Sequence, residues 1–139
     1  MSLRDELLTA NERYAASFAL ADLGPRPRRA LAVLTCMDAR LEPLAALGLE
    51  PGDAHVLRNG GAEATEDVLR SLELAKRLDV KEVLVVGHDR CVARTFAEGS
   101  PTAEAAVRRA VAAIAARLPG LAVSGVLYDE ATGRIRPVD

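Results

Sequence analysis

The sequence predicts an α/β domain with a mostly parallel β-sheet of four to five strands flanked by helices. Three observations carry that prediction. Short unbroken apolar runs recur along the chain, as strands buried on both faces require. Segments with helical spacing alternate with them, the order that builds parallel sheets through crossover helices. Only 3% of the 139 residues are aromatic while 50% are hydrophobic, so the core must be aliphatic, made of Leu, Val, Ile and Ala. A chain of this length is one domain of ordinary size, able to bury a core.

The elements follow in order. Leu7, Leu8, Asn11, Tyr14, Ala15, Phe18 and Leu20 recur near helical spacing, predicting a first helix over 3–23 that Gly24, Pro25, Arg26 and Pro27 end. Arg26, Arg28 and Arg29 form the densest basic cluster; prolines interrupt it, and it reads as a solvated linker. Residues 1–29 are thus a helical arm and linker, and 30–139 an α/β core. Residues 30–35 form a buried strand with Cys36 at its carboxyl end. Residues 41–47 predict a short helix closed by Gly48. His55, Val56 and Leu57 predict a second strand running into the turn Arg58-Asn59-Gly60-Gly61, with His55 a core histidine and both glycines at positive φ. Thr65 is placed to cap a helix reaching Leu78, with Glu66 and Asp67 in its first turn. Residues 82–87 repeat the buried-strand pattern, and His88 and Cys91 fall just beyond it. An alanine-rich helix over 102–118 stops at Pro119-Gly120; residues 121–128 then predict a strand, and 131–134 a hairpin turn.

Charge removes some functions from consideration. The formal net charge is -2 with acids and bases interspersed, so no basic face invites nucleic acid or an anionic membrane. Arg4, Asp5 and Glu6 lead into a helical pattern, unlike a signal peptide, and every apolar run falls far short of the roughly 20 residues of a membrane span. A soluble, cytoplasmic protein is expected, in a reducing compartment where two cysteines serve as metal ligands or free thiols.

Two segments carry the chemistry, Cys36-Met37-Asp38-Ala39-Arg40 and His88-Asp89-Arg90-Cys91. They use both cysteines and one of the two histidines. Two thiolates and an imidazole are a ligand set that zinc prefers, and three protein ligands leave a fourth position open for water or substrate. Both segments follow buried strands, and open α/β sheets bind ligands outside the carboxyl ends of their strands. Strands about 4.8 Å apart bring such residues within reach of one ion if the two strands are neighbours, an order the sequence does not give. Taken singly, either cysteine is a small buried hydrophobe, Asp38 a cap for the helix near Leu41, and Arg40 a surface base. Tyr14 and Phe18 read as core or interface packing. A thiol-redox or cysteine-phosphatase reading lacks its C-x-x-C or C-x5-R motif.

The combination of Cys36-x-Asp38-x-Arg40 with His88-x-x-Cys91 resembles the signature of the β-class carbonic anhydrases. The likeness extends to Asn11-x-x-Tyr14-Ala15-x-x-Phe18, to the segment from Ala54 through Arg58-Asn59-Gly60-Gly61, to Arg70-Ser71-Leu72 and to Asp129-x-Ala131-Thr132-Gly133. The resemblance implies Zn2+ held by Cys36, His88 and Cys91, with Asp38 and Arg40 as a catalytic dyad and the backbone of Gly60 and Gly61 lining an anion pocket. It implies reversible hydration of CO2 to bicarbonate through zinc-bound hydroxide, since bound zinc brings the pKa of water to about 7. It also implies a homodimer embraced by the first helix, with CO2 and bicarbonate as the small-molecule partners. Three positions depart from the family pattern. Val92 replaces the usual glycine and sets a branched side chain near the metal, Arg90 adds a positive charge, and the segment between Cys91 and the last strand is short. These departures define the alternatives: a noncatalytic zinc-binding homologue with a structural or regulatory role, or a zinc hydrolase of another small linear molecule such as carbon disulfide.

Overall fold

Ser2 starts the first helix, α1 (Leu3–Ala16), through a reciprocal capping box with Asp5. The Ser2 hydroxyl accepts from the Asp5 N–H at 3.2 Å and the Asp5 carboxylate accepts from the Ser2 N–H at 3.0 Å, which satisfies two amides that the first turn leaves open. In this computed structural model, which describes every residue of 1–139 except Ala97, the helix is shorter than its apolar spacing predicts. It ends at Ala16, where Ser17 and Phe18 donate to carbonyls three residues back and tighten the last turn. The chain turns there because Leu23 packs elsewhere: its Cδ2 would lie 2.9 Å from a Cβ placed on Gly52. No residue of α1 is buried.

The linker is pinned, not merely solvated. Arg28 and Arg29 donate their backbone N–H groups to the carbonyls of Gly52 and Asp53 at 2.9 and 3.0 Å. The Arg28 guanidinium pairs with the Asp53 carboxylate at 2.9 Å, and Arg26 reaches Asp79 at 2.7 Å.

The core follows the predicted order, β1 (Leu31–Cys36), α2 (Pro43–Ala46), β2 (Ala54–Asn59), α3 (Glu66–Arg77), β3 (Glu82–His88), α4 (Ala103–Arg117), β4 (Ala122–Tyr128) and β5 (Ile135–Val138). Thr65 and Thr102 cap α3 and α4 by accepting from the N–H groups of Val68 and Ala105. The sheet order is β2-β1-β3-β4-β5, parallel except for the antiparallel β4–β5 hairpin. From β1 the chain moves outward to β2 and then crosses to the other side as β3. The strand order therefore reverses between β1 and β3, and the carboxyl ends of these neighbours, Cys36 and His88, meet at the crevice where such sheets bind ligands. Thr35 strengthens that seam: its buried hydroxyl donates to the Val86 carbonyl at 2.9 Å. Among the described residues, no helix is long and apolar enough to cross a membrane.

One face of the sheet buries Ala32, Leu34, Val83, Val85 and Leu127 against α3 and α4. Helix α4 approaches unusually closely because two strand positions lack a side chain. A Cβ at Gly125 would fall 2.4 Å from Val107 Cγ1, and one at Gly87 would fall 2.5 Å from Val107 Cγ2. Val107 thus sits over two glycines on adjacent strands, fixing α4 beside the end of β3. Gly125→Ala is expected to cost about 1–3 kcal/mol by overpacking. Adding Val107→Ala to it should cost less than the sum of the two single changes, read by urea unfolding as a double-mutant cycle.

Candidate metal centre

Cys36 is the last residue of β1, His88 the last of β3, and Cys91 follows after the two-residue turn Asp89-Arg90. The turn reverses the chain so that Cys91 comes back over the strand end, ahead of a single 3-10 turn, Val92–Arg94. The Cys36 and Cys91 sulfurs lie 3.9 Å apart, and the donor atoms of all three residues fall within 4.8 Å of one another. Two thiolates on one tetrahedral zinc, at about 2.3 Å each, stand about 3.8 Å apart. All three side chains are buried, with Leu41 and Tyr128 packed around the sulfurs.

The donor set fits a metal by an independent observation. His88 Nε2 is buried and has no hydrogen-bond partner among the described residues, while Nδ1 is engaged by Glu130. A buried polar nitrogen without a partner is costly unless something binds it. Burial pushes the Cys91 thiol up, with the adjacent Cys36 adding to the rise. The backbone N–H groups of Ala93 and Arg94 offset part of this rise, and Gly61 donates its N–H to the Cys36 sulfur at 3.3 Å.

Asp38 lies beside the cluster, its Oδ2 4.0 Å from His88 Nδ1. It does not cap the short helix, whose N-cap, Glu42, makes no side-chain cap. Instead Oδ1 accepts from the Arg40 backbone N–H at 2.8 Å and from Nε at 3.1 Å, and Oδ2 accepts from Nη2 at 2.9 Å. Those Arg40 side-chain bonds, then its backbone N–H, hold the Asp38 carboxyl far below the ordinary carboxylate range. Arg40 also donates to the Arg90 carbonyl at 3.2 Å, tying the two motifs together.

Two contributors went unread in the sequence. Arg58 donates to the carbonyls of Cys36 at 2.9 Å, Asp38 at 2.8 Å and Leu41 at 3.2 Å, so one fork pins the whole loop that carries Cys36, Asp38 and Arg40. Its signal was its place in the Arg58-Asn59-Gly60-Gly61 turn. Glu130 was the unspecified position of Asp129-x-Ala131-Thr132-Gly133, and no local pattern marks it. Its side chain is 2% exposed, and Oε1 accepts from His88 Nδ1 and from the Arg90 N–H at 2.8 Å, with Arg40 Nη2 3.9 Å away. Burial pushes this carboxyl up, but the Glu130 backbone N–H, His88 and the Arg90 N–H outweigh it and leave it below its usual range.

The remaining expected positions divide. Positive φ falls on Gly61 and Ala62, not on Gly60, because Asn59 clamps Glu63 through both its N–H and its carbonyl and closes the turn around residues 61 and 62. Val92 is 54% exposed and so does not crowd the donors, and the Arg90 side chain is exposed while its backbone serves the site. Tyr14 and Phe18 pack on each other with their rings tilted by 50° and centroids 5.8 Å apart, and both are half exposed, which removes the core reading. His55 is partly buried on β2 opposite Ala32, outside the donor cluster.

A parallel α/β sheet with a buried Cys-His-Cys group at its switch point defines a metal-binding domain. More narrowly, the chain belongs to the β-carbonic anhydrase family: the family profile described as carbonic anhydrase matches residues 31–123. It is 38% identical over 99 residues to "Beta-carbonic anhydrase 1" of Mycobacterium tuberculosis, spanning 70% of this chain and 60% of that protein's length. It is 46% identical over 68 residues to a "Carbon disulfide hydrolase" of Acidianus sp., spanning 48% of this chain and 33% of that protein. The solved carbonic anhydrase of Streptococcus mutans superposes with a TM-score of 0.92 at 34% identity, covering 100% of this chain and 99% of that one.

Because Arg58 holds three carbonyls, Arg58→Met is expected to destabilise the fold by about 1.5 kcal/mol, the low end for charged hydrogen bonds at an exposed position. Arg58→Lys should recover little of that in urea unfolding, since a point charge cannot span the three acceptors.

Proposed function

We propose that this chain catalyses the reversible hydration of CO2 to bicarbonate with Zn2+ held by Cys36, His88 and Cys91. The observation that carries this reading is the close group of three donors beside an Asp38–Arg40 dyad at the strand-order reversal. Zinc in such a donor set acidifies a bound water from a pKa of about 15.7 to about 7. The chain's own residues supply the rest. Ionised Asp38 can only accept, so it orients the reacting water by taking a hydrogen bond from it. Arg40 holds that carboxylate by two side-chain bonds, which keeps it from competing for the metal's fourth position. Gly60 and Gly61 would supply backbone N–H groups to the anion pocket by the family resemblance, a reading supported at Gly61, whose N–H donates to the Cys36 sulfur at 3.3 Å. CO2 takes up the oxygen of the water, and the released proton passes to the solvent or buffer.

The second reading is a hydrolase of carbon disulfide, another linear molecule, which the similarity to the Acidianus protein supports. Sulfide release from carbon disulfide, measured beside CO2 hydration, separates the two. A third, a noncatalytic homologue, requires metal without turnover of either.

Zinc-loaded protein is expected to hydrate CO2 in stopped flow with a rate that rises with pH around 7. Asp38 stays ionised across that window, because its folded-state pKa lies well below the usual carboxylate value. Asp38→Asn should lower the rate roughly 10²-fold or more. A rate that stays flat between about pH 6.5 and 9, or equals buffer, overturns the enzymatic reading.

A homodimer completes the proposal. A helix of 14 residues is marginal in water on its own, and α1 buries nothing within its chain while Leu3, Leu7, Leu8 and Tyr14 are 56–69% exposed. A second copy covering this face accounts for its persistence. Light scattering at micromolar concentration should give twice the 14.7 kDa chain mass, and Leu7→Glu with Tyr14→Glu should return it to one.

A further inference from the structure

We infer that Glu130 is a positioning residue that holds the His88 ring with its N–H at Nδ1, so that Nε2 is turned to the donor cluster; the metal half of this rests on the zinc reading above. A neutral imidazole carries a single N–H, and whichever nitrogen keeps it is the one with an acceptor. Glu130 Oε1 is that acceptor at Nδ1, and Nε2 is buried without a partner among the described residues.

The carboxylate is itself anchored. The Arg90 N–H donates to the same oxygen at 2.8 Å, and Arg90 belongs to the turn between His88 and Cys91. Glu130 thus sets the ring and the turn that brings Cys91 over it. The His88 and Glu130 side chains are 1% and 2% exposed, so water does not dilute the contact. Among the described residues Oε2 has no partner, and a buried carboxylate satisfied on one oxygen is costly unless positive charge lies close; the Arg40 guanidinium, 3.9 Å from Oε1, supplies part of that charge. A divalent cation on the far nitrogen of the same imidazole would add to it, and the carboxylate in turn would make the imidazole a stronger ligand. Glu130 stands at the position that the Asp129-x-Ala131-Thr132-Gly133 pattern leaves unspecified, outside residues 31–123 that the family profile matches.

The test compares wild type with Glu130→Gln, which keeps size and removes charge, and Glu130→Val, which removes the acceptor. Zinc affinity is read by competition with a chromophoric chelator, and the His88 tautomer by 15N NMR of histidine-labelled protein, with and without zinc. Circular dichroism of the metal-free variants establishes that they fold. We expect Glu130→Val to bind zinc roughly 10- to 100-fold more weakly, Glu130→Gln to fall between it and wild type, and the far-downfield Nδ1–H signal to move or vanish. Unchanged affinity, within twofold, together with an unchanged Nδ1–H signal overturns the inference. If wild type takes up no zinc, the zinc reading falls, and the NMR spectra of the metal-free proteins still decide whether Glu130 sets the tautomer.

Discussion

Two sulfurs 3.9 Å apart share a buried corner with an imidazole whose Nε2 has no partner among the described residues, and they can remain there only by sharing protons or a cation. Most of the surrounding architecture answers that constraint. The Gly61 N–H faces the Cys36 sulfur, the Arg58 fork gathers the carbonyls of the loop leaving it, and Glu130 holds the far side of the ring. A cation satisfies all of these at once, because ligand thiols release their protons to a metal and a neutral imidazole needs to release none. The donor cluster therefore defines the metal more strongly than any single residue does, and the sheet's reversal between β1 and β3 is what brings the cluster together.

What could be read from the chain tracks how local each cause is. Thr65 and Thr102 act within one helical turn, and both were visible as caps or helix starts. The runs that became β1 and β3 were visible because burial on both faces demands unbroken aliphatic sequence. Cys36, His88 and Cys91 were visible as residue types at strand ends, and the family resemblance added Asp38 and Arg40. Their convergence was not visible, since it depends on β1 pairing with β3 across some fifty residues. Glu130 was hidden for the same reason. It follows β4 by two residues, and only the β3–β4 register, which sets His88 opposite Tyr128, brings it to the imidazole. The first helix failed in the opposite direction. Its spacing continued to Leu20, but a local pattern cannot register that Leu23 has a seat at Gly52.

The site is also braced from outside. Arg136 on β5 takes Asp89 by two bonds, at 2.8 and 3.0 Å, and Glu104 at 3.1 Å, so the hairpin after Glu130 is tied to the turn after His88 and to the start of α4. Arg94 closes the other side by donating to the carbonyls of His88 and Asp89. Val107 then holds α4 down on the glycines of β3 and β4. The turn Asp89-Arg90 is thereby fixed by its backbone from several directions while the Arg90 side chain stays exposed. That arrangement explains how residues 90 and 92 can depart from the family pattern without entering the donor cluster.

Two carboxylates near one histidine raise the question of why they do not exchange places. Asp38 and Glu130 are both ionised, and both lie near Arg40, at 2.9 and 3.9 Å. Their partners differ in kind. Arg40 saturates both oxygens of Asp38 by donating from its backbone and its guanidinium, and leaves that side chain only 11% exposed at the mouth of the site. Glu130 is deeper, faces the imidazole and an amide, and has only the distant edge of the guanidinium. Moving Asp38 inward would break a bidentate charge-assisted pair, and moving Glu130 outward would strip the His88 N–H of its acceptor. Each carboxylate is thus confined to one task by the partner it would lose: Glu130 holds Nδ1 of the buried imidazole, while Asp38, 4.0 Å from the same nitrogen, stays with Arg40.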